Sequence, residues 1–288
     1  MTVSPALKSL LASSNQLFTL PDIFIQLNEM IRDPRFSLVD IGKVIAKDPG
    51  LSARLLQLVN SSFYGFQSKI DTISRAVTVV GVDELYNLIV ATCVVDRFEN
   101  IPSELVDMTD FWMRSVHTGV MAKLLAKGSL VLHSERLFLA GLLHDVGSLV
   151  LYQNMPNESR RVLQLAGHDR RLVADFELDI LGFTHADVAR ELIKSWGLPE
   201  SLYEPIGCYL NPEYAHLHRL DAYLLNIATS LVDAGGRGEN AEYAAAALSA
   251  HALALTRMSR EQLLLIIPQA ADDFLAVFDM MAPNKRFH

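Results

Sequence analysis

The stretch that decides the fold is LFLAGLLHDVGSLVLY, residues 137–152. It is apolar at nearly every position, but His144 and Asp145 stand side by side in its middle. A helix that is apolar all round is normally buried, so we expect one central helix over residues 135–152. A buried carboxylate is costly unless it is paired, so Asp145 must meet a cation, a metal ion or several donors. The alternative is that both side chains are ordinary structural groups whose hydrogen bonds are satisfied.

Helical signals continue on both sides of this stretch. Ser37 with Asp40 forms a capping-box pattern for a helix reaching about residue 46, and Thr184 with Asp187 repeats that pattern. Asp48 followed by Pro49 predicts a further helix start. We also expect helices over residues 73–80, 83–95 and 104–126 and after residue 259, a loop over residues 233–240, and a kink or division at residue 268. Alternating strand patterns are absent from the sequence, which indicates an all-α fold.

Composition limits the possible functions. The chain has 288 residues, half of them hydrophobic and a fifth charged, which fits two domains or one large helical domain with appendages. Its net charge of -8 argues against direct binding to nucleic acid or an anionic membrane. No apolar run reaches the roughly 18–20 residues that span a bilayer, and no signal peptide is evident. Only Cys93 and Cys208 are present, so we expect a cytoplasmic protein.

Several segments resemble known families. The run GLLHDVGSLVL, residues 141–151, resembles the motif of the HD phosphohydrolase superfamily, in which an adjacent His and Asp bind metal. Residues 20–66 and 70–90 resemble the N-terminal half of the HDOD domain, a relative of HD and HD-GYP domains in bacterial signalling proteins. The characteristic pieces are Asp-Pro-x-Leu at residues 48–51, Asn60-Ser61, Tyr64-Gly65 and the helix pair around Gly81. The resemblance extends over residues 20–232.

The resemblance implies a two-lobed, multi-helix HDOD/HD-like fold. Pro102 and Ser103 interrupt the helical pattern, and we place the junction between the lobes there. The expected division is an N-terminal helical lobe over residues 1–100, a degenerate HD-like core over residues 101–232, and a C-terminal helical extension over residues 233–288.

The resemblance also lets the metal ligands be checked position by position. A metal-dependent HD enzyme needs a His on the preceding helix, the His-Asp pair and a later Asp. In this chain Arg114 takes the place of that first His, with His117 one turn later, and Thr229 takes the place of the later Asp. His185 matches a further HD-GYP histidine, while the expected His-His pair is absent near residues 208–209.

These substitutions predict a vestigial pocket that lacks at least two ligands. Its expected members are Arg114, His117, His144, Asp145, His185 and Thr229. We expect no cofactor; if iron, manganese or magnesium is bound, His144 and Asp145 would hold it. In the family arrangement the Arg114 position faces the His-Asp pair, so we predict that its guanidinium takes the place of the metal and binds the Asp145 carboxylate. The alternative is that Arg114 points to solvent and that His117 packs near Asp145.

A second group of residues has a predicted structural role in the first lobe. Asp48 is expected to cap the helix that begins at Pro49, and Asn60 to tie the following loop to the end of that helix. Ser61 and Tyr64 belong to the same predicted structural loop.

The function implied by the resemblance is non-enzymatic signal transduction, relayed through contacts with protein partners. The chain would be a free-standing HDOD protein or the output part of a longer one. The alternative is a metal-dependent phosphohydrolase or phosphodiesterase that acts on nucleotides or cyclic dinucleotides. A third possibility is a receptor that binds a ligand such as a nucleotide in the pocket between the helices carrying Arg114 and Asp145.

Overall fold

The structure is a computed structural model, and it describes residues 4–14, 21–61, 63–66, 68–95, 98, 101–131, 134–167 and 169–281. Every regular element among these residues is a helix, which confirms the all-α class. Short 3-10 helices lie at Arg170–Leu172 and Pro212–Tyr214. In chain order the α-helices are α1 (Pro5–Ser14), α2 (Asp22–Arg32), α3 (Leu38–Ile45), α4 (Pro49–Val59), α5 (Ile73–Val80), α6 (Val82–Val95), α7 (Met108–Gly128), α8 (Glu135–Leu143), α9 (Val146–Asn154), α10 (Pro156–Ala166), α11 (Val173–Leu181), α12 (His185–Ser195), α13 (Glu200–Cys208), α14 (Arg219–Gly236), α15 (Ala241–Ala247), α16 (Ala250–Thr256) and α17 (Arg260–Met281).

The chain divides into two compact units. The larger unit consists of Met1–Thr19 and Phe98–Ala270, and the smaller unit consists of Leu20–Arg97 and Ala271–His288. The division into a lobe, a core and an extension at residues 100 and 232 stays a prediction. Helix α14 continues across residue 232.

Local capping fixes the helix starts of the smaller unit. The Ser37 hydroxyl accepts a hydrogen bond from the Asp40 backbone N–H at 3.3 Å, and the Asp40 carboxylate accepts one from the Ser37 N–H at 3.1 Å. Asp48 caps α4 by accepting from the Leu51 N–H at 2.9 Å, with Pro49 as the first helical residue. Both predicted helix starts are therefore confirmed, because the side chains supply acceptors that the first turn of a helix lacks.

The loop after α4 is held by side-chain hydrogen bonds. The Asn60 side-chain amide donates to the Leu56 and Ile70 carbonyls, both at 2.7 Å, and its Oδ1 accepts from the Ile70 N–H at 2.7 Å. Ser61 is buried and donates to a carbonyl one turn back at 2.6 Å. The Tyr64 hydroxyl hydrogen-bonds a carboxylate on α6. The loop is thus joined both to α4 and to the chain that leads into α5.

Close backbone contacts position the elements of the larger unit. A Cβ atom added to Gly141 on α8 would lie 2.5 Å from the Gly119 Cα on α7, so these helices touch through their backbones. A Cβ atom added to Gly147 on α9 would lie 1.9 Å from the His185 carbonyl oxygen at the start of α12. Only glycine permits either approach. As a result, α7, the junction between α8 and α9, and the beginning of α12 come together.

The single helix expected over residues 135–152 is wrong. Helix α8 ends at Leu143 and α9 begins at Val146, so His144 and Asp145 form the break between them. Asp145 is the N-cap of α9, with φ −108° and ψ 6°. The apolar pattern predicts burial correctly but contains no information about a break. The Asp145 side chain makes no capping hydrogen bond; its carboxylate is bound instead by side chains of other segments and of Ser148.

Three other expectations about helix extent are also wrong. Helix α7 begins at Met108 rather than near residue 104, because Asp107 accepts hydrogen bonds from the Thr109 and Asp110 N–H groups. Helix α14 continues to Gly236, so the first half of the expected loop over residues 233–240 is helical. Helix α17 runs through Pro268, so the expected division there is wrong, while a kink at that residue stays a prediction.

Within the described ranges, no single helix is both long and apolar enough to cross a membrane. Helices α5 and α6 meet the length and composition criteria for a membrane span only when taken together, and the angle of the bend between them is 118°.

Candidate functional site

The His144–Asp145 break lies in the interior of the larger unit. His144 and Asp145 are 1% and 2% exposed, respectively. A buried ionised carboxylate requires compensating charge and hydrogen bonds, so its partners determine the chemistry of the site.

Two arginines and a serine bind the Asp145 carboxylate. Arg114 on α7 donates from Nη2 to Oδ2, as the family resemblance implies, and Arg170 donates from its own Nη2 to the same oxygen at 3.0 Å. The Ser148 hydroxyl, one turn into α9, donates to Oδ1. His185 Nε2 lies 3.9 Å from Oδ1. Both carboxylate oxygens are therefore engaged by donors, and two of these donors carry a full positive charge.

The surrounding charges set the protonation of this pair. Burial alone would raise the pKa of the Asp145 carboxyl, but Arg114, His185 and Arg170 outweigh it and hold that pKa well below its usual range. Burial would likewise lower the pKa of Arg114, yet Asp145 and Asp233 raise it above its ordinary value. Both groups of the Arg114–Asp145 pair are therefore charged at neutral pH.

His144 is a neutral imidazole at neutral pH. Burial lowers its pKa to about 3, against a smaller opposing effect of Asp145. Its Nδ1 lies 2.6 Å from the Gly141 carbonyl oxygen, so Nδ1 carries the proton and the lone pair resides on Nε2. The Tyr209 ring stands edge-on to the imidazole, with centroids 5.3 Å apart.

His185 has both ring nitrogens occupied. Nδ1 lies 2.6 Å from Glu177 Oε2, and Nε2 lies 2.6 Å from the Tyr209 hydroxyl. Burial lowers the pKa of His185, but Glu177 overcomes this and the net shift is upward. Burial raises the pKa of Tyr209 well above its ordinary value. Tyr209, at the position where the family resemblance implies a histidine, acts here as a hydrogen-bond partner that fixes His185.

The predicted pocket residues gather around one cavity of about 460 Å³. Arg114, His144, Asp145, His185 and Thr229 all line it. The Thr229 hydroxyl donates to the carbonyl of a residue one turn earlier on α14, at 2.9 Å.

His117 does not line this cavity within the described part of the chain. The alternative in which Arg114 points to solvent is wrong, because its guanidinium is largely buried and binds Asp145. Burial lowers the pKa of His117. The other predicted group, Asp48, Asn60, Ser61 and Tyr64, belongs to the smaller unit.

Sequence reasoning missed three members of the site. Arg170 lies in a polar stretch that resembles any solvated loop, and its side chain is 46% exposed. Glu177 is buried on α11 and pairs with a residue of another helix. Asp233, 3.9 Å from Arg114 Nη1, stood in the expected loop. Acidic and basic residues in local polar segments carry no signal of such long-range pairing.

The donor set does not fit the divalent metal that an HD motif implies. A hard dication requires several carboxylate or imidazole ligands with open coordination positions. Here the Asp145 carboxylate is held by two guanidinium groups, which would repel a dication, and both nitrogens of His185 are engaged. Across the described residues, no group of three or more His, Cys, Asp or Glu side chains is placed to hold a metal ion.

Comparison with known proteins identifies the family. The HDOD domain model matches residues 17–212, and the chain therefore belongs to the HDOD domain family. A curated protein of Treponema pallidum (strain Nichols), described as uncharacterized, is 28% identical over 200 residues, which are 68% of this chain. The chain spans only 38% of the length of that relative.

Solved structures share the fold. A candidate phosphohydrolase from Shewanella amazonensis SB2B is 22% identical with a TM-score of 0.77, covering 97% of this chain and 99% of that one. An HDOD domain protein of unknown function from Geobacter sulfurreducens is 22% identical with a TM-score of 0.73, covering 96% and 97%. A candidate signal transduction protein from Marinobacter aquaeolei VT8 is 24% identical with a TM-score of 0.71, covering 96% and 66%. At these identities the likeness concerns the fold alone.

Proposed function

We propose that this HDOD protein is a non-enzymatic signal-transduction protein that relays a signal through contacts with protein partners. The observation that carries the proposal is the binding of the Asp145 carboxylate by Arg114 and Arg170. In an HD enzyme that carboxylate would bind a catalytic metal; in this chain its charge is compensated by the protein itself.

The remaining polar groups of the pocket also argue against acid–base catalysis. A general acid or base works best when its pKa lies near the operating pH and its proton can reach the substrate. The pKa of His144, about 3, keeps that imidazole neutral near pH 7. Glu177 and Tyr209 occupy the two nitrogens of His185. Thr229, where the resemblance implies an Asp, has no charge to offer.

The descriptions of the structural neighbours are divided between the two leading hypotheses. The Marinobacter protein is described as a candidate signal transduction protein and the first Shewanella protein as a candidate phosphohydrolase. We favour the signalling role because the phosphohydrolase role requires the ligands that Arg114 and Thr229 replace. Two cysteines, Cys93 and Cys208, are too few for a disulfide framework, and we place the protein in the cytoplasm on that basis.

The test is turnover measured together with partner capture. The full chain would be incubated with phosphodiester and phosphomonoester substrates in the presence of Mn²⁺, Fe²⁺ or Mg²⁺, next to the Asp145→Asn variant. We expect the same background rate for both proteins. We also expect cross-linking in the native cell to recover specific protein partners. Metal-dependent turnover that Asp145→Asn abolishes and the surface control Arg160→Met retains would refute the proposal.

A further inference from the structure

The guanidinium groups that bind Asp145 have donors left over. A guanidinium has five N–H donors in a fixed fork. Within the described part of the chain, Asp145 is the hydrogen-bond acceptor of both Arg114 and Arg170, and each gives it one donor nitrogen. Both arginines line the 460 Å³ cavity. Their remaining N–H groups can therefore serve a second acceptor that enters the cavity.

Two more arginines stand along the same cavity. Arg171 is paired with Asp169 at 2.7 Å, and Arg237 is paired with Glu239 at 2.7 Å. Arg171 binds its carboxylate through Nε and Nη2, and Arg237 binds its carboxylate through Nε. Each guanidinium therefore has further N–H groups. Counted over its lining, the cavity carries four arginines against the carboxylates of Asp145, Asp233 and Glu239. The lining arginines exceed the lining carboxylates by one, and Asp169, outside the lining, offsets that excess through its pairing with Arg171. The N–H groups that remain nevertheless belong to positively charged side chains.

Helix orientation adds to this positive character. Helices α9, α11 and α12 all begin at the cavity, and Ser148, Val173 and His185 from their first turns line it. The N-terminal end of a helix carries a partial positive charge and favours anions. The His185 N–H at the start of α12 is already bound by Glu177 Oε2 at 2.8 Å, so this contribution comes from the starts of α9 and α11, two helices of 9 residues each.

We propose that this cavity is a binding site for the phosphate group of a small phosphorylated molecule, held by Arg114 and Arg170 with Arg171 and Arg237 at its edge. A guanidinium can donate two parallel hydrogen bonds to a phosphate, whereas a lysine ammonium acts on it as a point charge. Asp145 contributes to the site by holding the Arg114 side chain in place before the ligand arrives. This reduces the side-chain entropy that is lost on binding.

The size and the remaining walls of the cavity suit a ligand larger than phosphate alone. Its volume lies within the range of about 300–1,000 Å³ that is typical of small-molecule sites. Val173, Ala244, Ala247 and Leu248 provide an apolar wall for the part of the ligand that carries no charge. The inference goes beyond the proposed relay function and does not depend on the identity of any protein partner.

Calorimetric titration of the full chain tests the proposal. The probes are inorganic phosphate, pyrophosphate, adenosine monophosphate and adenosine, with sodium chloride at matched ionic strength. We expect saturable binding of the phosphate-bearing probes, no binding of adenosine, and a thermal shift that grows with ligand concentration. Arg170→Met should weaken the affinity by about 10-fold or more, because a charge-assisted hydrogen bond is lost.

A matched control separates this effect from a general loss of charge. Arg160→Met removes an arginine of similar exposure, 41% against 46% for Arg170, that pairs with Glu104 away from the cavity lining. It should bind the probes as the parent protein does. Arg171→Met, at a side chain 66% exposed, provides a second cavity variant if Arg170→Met does not fold. Absence of binding, equal binding in the cavity variants, or equal binding of adenosine and its monophosphate would overturn the proposal. Phosphodiester turnover would refute the relay function but would leave this site untouched.

Discussion

Asp145 and Asp221 are both buried carboxylates of the larger unit, each 2% exposed and each bound to arginine. Asp221, in the first turn of α14, accepts from a single guanidinium: Arg136 donates from Nε at 2.8 Å and from Nη2 at 3.0 Å. This fork uses both oxygens of the carboxylate. Asp145 instead shares one oxygen between two arginines and gives the other to a serine.

The difference shows what distinguishes a candidate site from a structural ion pair. Burial and charge pairing are common to both carboxylates. Both ion pairs also lie along a cavity, since Arg136 and Asp221 line one of about 550 Å³. The Asp145 arrangement differs because two arginines share one carboxylate oxygen, each giving a single nitrogen, and because the neutral His144 lines the same cavity. Two arginines that share one carboxylate, rather than a buried charge or a cavity by itself, therefore distinguish the candidate ligand site.

The largest effect is expected where one arginine binds both oxygens of a buried carboxylate. Arg136→Met leaves Asp221 as a buried carboxylate without its guanidinium, which typically costs about 3–5 kcal/mol of the free energy of unfolding. Urea denaturation measures this loss. Arg160→Met, which breaks an exposed pair, should change stability by about 1 kcal/mol at most. A loss of that small size for Arg136→Met would contradict the structural role of the Asp221 pair.

Arg114→Met should cost less than Arg136→Met, about 3 kcal/mol, because Arg170 still neutralises Asp145. The double variant Arg114→Met with Asp145→Leu should recover much of that loss, since no buried charge remains. Equal losses in the single and double variants would show that Arg114 and Asp145 are not energetically coupled.

The two histidines of the site should respond to pH in opposite directions. The folded-state pKa of His144, about 3, lies below its unfolded value near 6.5, so stability falls as the pH drops from 6.5 toward 3, by up to about 1.4 kcal/mol per pH unit. The pKa of His185 is raised, so its contribution is complete below pH 6.5 and is lost as the pH rises through the folded pKa. Imidazole NMR titration checks both; a midpoint near 6.5 for His144 would contradict this account.

The smallest effect is expected for a neutral hydrogen-bonding side chain. Asn60→Ala removes the links from Asn60 to Leu56 and Ile70, and it should lower stability by about 1 kcal/mol while the fold stays intact. A melting temperature that is unchanged while binding to a protein partner is lost would instead make this loop an interaction surface.

Helix starts could be predicted where a side chain close in sequence satisfies the first turn. Ser37 with Asp40 and Thr184 with Asp187 are such cases, and both form the expected capping boxes. The break at His144–Asp145 could not be predicted from hydrophobicity, because the residues on both sides are equally buried. The Gly-Gly pair at residues 235–236 suggested a loop, yet it closes α14. Glycine near a helix end is compatible with either outcome.

The candidate site could be predicted only as far as the family resemblance reached. The resemblance placed Arg114 opposite the His-Asp pair, and the buried charge of Asp145 required a cation. Arg170 and Glu177 lie outside the matched motif positions and outside any periodic pattern, so only the three-dimensional fold brings them to the site. Local sequence does not encode which distant polar groups meet.

The central claim is that guanidinium groups have taken the place of a metal at Asp145. Elemental analysis of the full-length protein, purified from cells without chelator, tests this most directly. The account predicts iron, manganese and magnesium well below one equivalent per chain, with the same content in His144→Ala. One or more equivalents of iron or manganese in the parent protein, lost in His144→Ala, would contradict it.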